Sequence, residues 1–143
     1  MEVNFMDKIS CKHDKETPNM HRWKKIINNE SLQIYINKWR VPNPYPSHIS
    51  VEIIELDERT RFINYLYPEE LRANPELFSK PIVTRITYNE KHSSTFKYKT
   101  DLNDDVRETG DIFIPQKLLS SSPPKRLIIV INWENKTEER FFV

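Results

Sequence analysis

Residues 110–131, "GDIFIPQKLLSSSPPKRLIIVI", decide the fold. They contain an alternating segment (Ile112, Ile114), a proline-bearing loop and the longest apolar run in the chain, Leu127 to Ile131. Alternation marks a strand with one buried face, whereas five consecutive apolar residues need cover on both faces. The run is therefore placed as a central strand. Residues 33–53, "QIYINKWRVPNPYPSHISVEI", say nearly the same thing 78 positions earlier. With no gap, Ile34, Ile36, Pro46 and Ile53 meet Ile112, Ile114, Pro124 and Ile131. Tyr35 meets Phe113, Val41 meets Leu119, His48 meets Arg126, Ile49 meets Leu127 and Val51 meets Ile129. Each copy continues into a polar turn (LDERT, ENKTEE) and an Arg-Phe-apolar stretch. The expected architecture is mainly β (α+β with few short helices), a small closed or partly closed barrel with two related units at about 33–65 and 110–143. Closure leaves no long free edge beside the Leu127–Ile131 run.

Working outward, residues 1–17 are polar and aperiodic and read as a flexible N-terminal arm, with 18–143 as a single barrel-like domain. Pro18 opens a short amphipathic helix that puts Met20, Trp23, Ile26 and Ile27 on one face and ends at Asn28 and Asn29. Leu32, Ile34 and Ile36 alternate as a strand, and prolines at 42, 44 and 46 forbid helix or central strand in the loop that follows. The pair Ile53-Ile54 breaks the next alternation as a bulge does. "RFINYLY" (61–67) returns as a strand, and 68–79 is one helix or two short ones divided at Pro75. Residues 82–100 form a β-hairpin, and the chain closes on "RLIIVINW", a turn and "ERFFV".

Composition excludes more than it assigns. At 143 residues the chain is long enough to bury a core. Its one glycine, against about ten at average usage, removes the glycine-rich loops that cradle phosphates, so no nucleotide cofactor is expected. No segment is apolar enough to span a membrane or serve as a secretory signal. The single cysteine, Cys11, rules out an internal disulfide, and a cytoplasmic location follows as the expectation. Cys11, His13, Asp14 and His21 have spacings that can be folded around zinc, but they read as scattered polar residues of the arm.

Charge is uneven although the net is only +1. The hairpin 82–100 carries Arg85, Lys91, Lys97 and Lys99 against Glu90, and the next eleven residues carry five acids against Arg107. Alternation sets Arg85, Lys97 and Lys99 opposite Ile82, Ile86, Phe96 and Tyr98, which makes a cationic ribbon able to follow a phosphate backbone. Lys117 and Arg126 extend it. A non-catalytic module for nucleic acid, double-stranded DNA first, is the leading expectation. The alternative is a protein-interaction module using Lys38, Trp39, Arg40 and Tyr45, because an aromatic between two cations beside a stiff proline loop can receive a peptide. A third reading, a metal-dependent nuclease, takes Asp111 with Glu134 and Lys136, the carboxylates holding a divalent ion and the lysine steadying phosphate.

The stretch 110–143 resembles the AbrB-like swapped-hairpin barrels and related DNA-binding pseudobarrels. A short strand ends at Ile114-Pro115, Leu118 follows in a small helix, and a hairpin from Leu127 through Asn135-Lys136 to Val143 closes the unit. Gln116 stands where that pattern has lysine, with Lys117 one place later. The resemblance implies a barrel fold and, through it, contact with DNA.

Overall fold

The computed structural model of the chain describes residues 8–55, 63, 65–100, 102, 107–119 and 122–133. Eight strands, all paired antiparallel, close into a barrel: β1 Ile9–Glu16, β2 Met20–Ile27, β3 Glu30–Asn37, β4 His48–Glu55, β5 Ile82–His92, β6 Thr95–Thr100, β7 Thr109–Pro115 and β8 Arg126–Asn132. Helix α1 (Pro68–Ala73) and a 3-10 turn (Pro75–Ser79) join β4 to β5, and another 3-10 turn (Gln116–Leu118) follows β7. Around the barrel the order is β1-β2-β3-β7-β6-β5-β8-β4, with β4 returning to β1. Each group of four consecutive strands is thus a Greek key, ordered 4-1-2-3 and 8-5-6-7. Two seams, β3 with β7 and β4 with β8, join them.

Period-2 alternation fills the interior. Cys11, Trp23, Leu32, Ile34, Ile36, Val51, Ile82, Ile86, Tyr98, Ile112, Ile114, Leu127, Ile129 and Ile131 are all fully buried in one cluster. The Leu127–Ile131 run lies between β4 and β5. Its odd residues face the interior. Ile128 is 1% exposed although it lies outside that cluster, as is Leu71 of α1. The 65–79 segment reaches the neighbouring strand β5, where the Tyr65 hydroxyl accepts from the amide of Arg85, the cross-strand partner of Ile128, at 3.5 Å.

Several expectations are corrected. Residues 9–16 are not a flexible arm but a strand paired on both sides; Ile9 and Cys11 point inward while the outer face is polar, which made the segment look aperiodic. Residues 1–7 of that arm lie outside the described residues. The helix expected at 18–27 is β2. The spacing of Met20, Trp23, Ile26 and Ile27 looks helical, but His21 and Trp23 are the buried side chains and Ile26 is 63% exposed. Asn28 and Asn29 are a two-residue turn with φ of 51° and 69°, the left-handed pair that a tight hairpin requires and that asparagine tolerates. The bulge expected at Ile53-Ile54 is absent, since both residues pair in register with Ile129 and Ile128. Residues 63 and 65–67 are not strand; the rest of that expected strand, "ERFFV" and its preceding turn lie outside the described residues.

The bulges fall elsewhere, and in a pattern. One lies between His13 and Lys15 on β1, and another between Tyr88 and Glu90 on β5, 75 positions on. The Trp23 indole donates to the Pro46 carbonyl at 3.0 Å; the Tyr98 hydroxyl, 75 positions on, donates to Pro124, which is 78 beyond Pro46, at 2.6 Å. The His13 amide donates to Ser47 and the Tyr88 amide to Lys125, at the same two offsets. In the seams, Ile34 pairs with Ile112 and Glu52 with Val130, each 78 apart.

A third irregularity sits in the β3–β7 seam, where Gly110 and Asp111 together oppose Tyr35. A Cβ on Gly110 would meet Met20 Sδ at 2.5 Å and Tyr35 Cβ at 3.1 Å. The glycine is needed for space, not for its backbone angle.

One barrel end is tied by a buried ion pair. Arg40 Nε donates to Glu108 Oε2 at 2.5 Å with neither side chain more than 3% exposed. The guanidinium also donates to the Lys80 carbonyl and lies over the Trp133 ring. Burial pushes the Glu108 carboxyl up, and the Arg40 partner opposes that shift. Asn37, through its amide nitrogens, takes the Arg107 and Glu108 carbonyls.

Two outcomes follow for chemical denaturation. Arg40→Met strands the Glu108 carboxylate and destabilises by about 3–5 kcal/mol, whereas Arg40→Met combined with Glu108→Leu recovers most of that loss. Gly110→Ala costs about 1–3 kcal/mol through overpacking against Met20 and Tyr35, and Met20→Ala in the same chain relieves the part of that cost due to Met20, so the two substitutions together cost less than the sum of each alone.

Candidate nucleic-acid interface

Strand pairing sets one outward row across five strands. Lys97 on β6 stands opposite Phe113 on β7, Phe113 opposite Gln33 on β3, Gln33 opposite Lys24 on β2, and Lys24 opposite Lys12 on β1. At about 4.8 Å between strands the row is about 19 Å long, the reach of roughly three nucleotides. These side chains face outward because their neighbours Tyr98, Ile112, Ile34, Trp23 and Cys11 fill the interior.

Aromatic rings lie within this cationic row. Phe113 meets Tyr35 edge-on with centroids 6.3 Å apart, and His92 is 5.4 Å from Phe113 on the other side. Arg22 lies over the Tyr35 ring at 5.8 Å and donates to its hydroxyl at 3.3 Å. Asp14 receives two bonds from Arg22, at 3.0 and 2.6 Å, and Lys24 stands 3.5 Å away; the Arg22 bonds hold the Asp14 carboxyl below its ordinary range. Arg22 is thereby oriented and only 16% exposed. Lys97 reaches Asp111 at 3.7 Å. Pairs this exposed contribute little to stability, so an incoming phosphate can compete for the lysines. Beside the row a groove of about 260 Å³ is lined by Thr17, Met20, Tyr35, Arg107, Asp111 and Phe113.

The six cations expected to bind nucleic acid divide into groups. Lys99 and Arg126 are exposed and stand on either side of Thr87, each its cross-strand partner, with Lys97 one pleat away. Lys91 and Lys117 are exposed at the tip of the β5–β6 hairpin, where Gln116 donates to the Ser93 and Ser94 carbonyls. Arg85 is set apart: half-buried, it pairs with the buried Ile128 beside the 65–79 segment.

The alternative set is also divided. Lys38 and half-buried Trp39 line a groove of about 430 Å³ with Pro18, Asn19, Met20, Asn37 and Arg107. Arg40 is fully buried in its ion pair and presents nothing to a partner. Tyr45 stacks over the rings of His13 and His21. Of the nuclease candidates, Asp111 pairs with Lys97, while Glu134 and Lys136 lie outside the described residues. Among the described residues no group of three His, Cys, Asp or Glu side chains could hold a metal ion. The Cys11 thiol is pushed up to about 12 by burial, which keeps it protonated at neutral pH.

Sequence reading missed Lys12, Arg22 and Lys24 because they fell in the presumed arm and helix. It passed over Tyr35 and Phe113, although their meeting at the 78-residue offset was a signal: both are outward rings on seam strands. Among the described residues no helix is long and apolar enough to cross a membrane. No protein-family model matches the chain, and no curated protein matches it.

Proposed function

We propose that this chain is a non-catalytic nucleic-acid-binding module, and that it holds a single strand in preference to a duplex. The observation that carries this reading is the row Lys97–Phe113–Gln33–Lys24–Lys12, with Tyr35 and Arg22 beside it. Half-exposed rings between cations stack unpaired bases while the ammonium groups meet the phosphates. A barrel's outer wall is convex, and a duplex with a persistence length of about 50 nm touches it only along a short tangent; a single strand bends with it. Lys99 and Arg126 continue the path past the row, and Lys91 and Lys117 guard the hairpin tip. A cytoplasmic setting belongs to the same proposal.

The two Greek keys, on this reading, are copies of one unit, and the echo between 33–53 and 110–131 is its surviving trace. Matching bulges and matching carbonyl bonds at offsets of 75 and 78 support it. Both copies carry cations along their second strand, Arg22 and Lys24 on β2 at places corresponding to Lys97 and Lys99 on β6, and outward Phe113 and Tyr35 sit on the seam between copies. A second reading, a protein-docking module, is favoured by one observation, the groove where Trp39, Met20 and Pro18 lie together.

Fluorescence anisotropy with a labelled twelve-nucleotide strand and the matching duplex tests the proposal. The single strand binds more tightly, and log affinity falls with log salt. Phe113→Ala and Tyr35→Ala each lower affinity about 5- to 100-fold with little change in that slope. Lys24→Ala and Lys97→Ala each flatten the slope by about 0.7. No binding at low salt, or binding indifferent to all four substitutions, overturns it. If Trp39→Ala alone abolishes association with a protein partner, the second reading takes its place.

A further inference from the structure

The two ends of the barrel are filled by side chains in corresponding places, but with different chemistry. At one end Tyr88, Phe96 and Tyr98 pack edge-on, with centroids 5.9 Å (Tyr88–Phe96) and 5.8 Å (Tyr88–Tyr98) apart. Seventy-five positions earlier stand His13, His21 and Trp23, with centroids 5.0 Å (His13–His21) and 5.2 Å (His13–Trp23) apart. Their anchors match too, Tyr98 to the Pro124 carbonyl and Trp23 to the Pro46 carbonyl. The first trio contains no imidazole. The second holds two imidazoles joined by a 3.0 Å bond between His13 Nε2 and His21 Nδ1. Tyr45, from the proline loop 41–47, lies across both, 4.1 Å from His13 and 4.4 Å from His21.

We infer that the His13–His21 pair is an acid-operated latch that holds the proline loop over this end of the barrel. The bond needs one nitrogen with a proton and one without. A neutral pair satisfies it, and so does a pair carrying one extra proton; a pair carrying two has no acceptor and sets like charges about 3 Å apart. Acid therefore breaks the bond beneath the Tyr45 ring, and the loop loses its seat.

The surrounding groups set the working range. On β1, Asp14 and Glu16 favour a charged His13, and Glu16 favours a charged His21. Lys38, paired with Glu16, opposes charge on His21. Trp23 and the protonated thiol of Cys11 bring no charge, and His48, at the start of β4, is exposed on the outer face opposite Lys12, next to His13 on β1. Burial is the largest influence and lowers both imidazoles below their ordinary value. The sign follows: the unfolded chain takes up protons first, near pH 6.5, so the latch is fully closed above that value and loosens as pH falls below it.

Hydrogen exchange of the loop amides, corrected for the intrinsic effect of pH, reads the latch directly. Exchange at 41–47 rises about tenfold between pH 7 and pH 5 in the natural chain. In His13→Tyr/His21→Phe, which installs the residues of the opposite end, it stays within about twofold. A nitrogen-15 titration of the two imidazoles in the unaltered protein needs no variant to fold, and both midpoints fall below 6.5. An equal rise in the double variant, or imidazoles that titrate at or above 6.5 with Tyr45 still seated, overturns the inference.

Discussion

The structure depends on the absence of a sheet edge. Each Greek key taken alone would end in two open strands, β3 and β4 in one and β7 and β8 in the other. Pairing β3 with β7 and β4 with β8 satisfies every one of these edges at once. Unpaired backbone amides and carbonyls beside buried apolar residues are costly, so the two seams set the shape of everything else. Closure creates the interior that Ile34, Ile112, Val51 and Ile129 fill, and it wraps the polar sides of five strands into one curved outer row. The core and the proposed binding surface are two faces of the same pairing.

Charge is handled locally, which is why the net value of +1 says so little. Asp14 restrains Arg22, Asp111 stands by Lys97, and Glu16 holds Lys38. These exposed pairs orient side chains more than they stabilise the fold. Arg40 with Glu108 is of another kind. Without water to screen it, the pair carries the cost of desolvation and returns it as geometry, binding the loop after β3 to the start of β7 and to the Lys80 carbonyl.

What could be read from the sequence follows from where the signal lies. The hairpin of β5 and β6, the strands β3, β4, β7 and β8, and the burial of Leu127–Ile131 were legible because alternation or an unbroken apolar run dictated them. β1 and β2 were not. Their inward residues include His13 and His21, which count as polar in any pattern, and Ile26 is apolar yet exposed, so the true period of two was masked by a false helical one. The Asn28-Asn29 turn held the correction, since two residues able to take positive φ belong to a hairpin more readily than to a helix end. At the candidate interface, Lys97, Lys99 and Arg126 were legible as an alternating ribbon. Lys12, Arg22 and Lys24 were hidden with their strands. Arg40 was misassigned for a physical reason: flanking cations and prolines describe a surface loop until a buried acid 68 positions away is placed beside it.

The seams also have a temporal meaning. Ile34 waits for Ile112, and Glu52 for Val130, each across 78 residues of chain. On a ribosome adding about 5–20 residues per second, the leading half spends at least several seconds with two naked borders before its complement is made. Distant pairing of this kind is slow to nucleate, because the loop entropy is lost before the contacts are gained. Such a nascent half is open to promiscuous strand exchange with its neighbours, and it is a natural client for chaperones until the last strand is made and can dock.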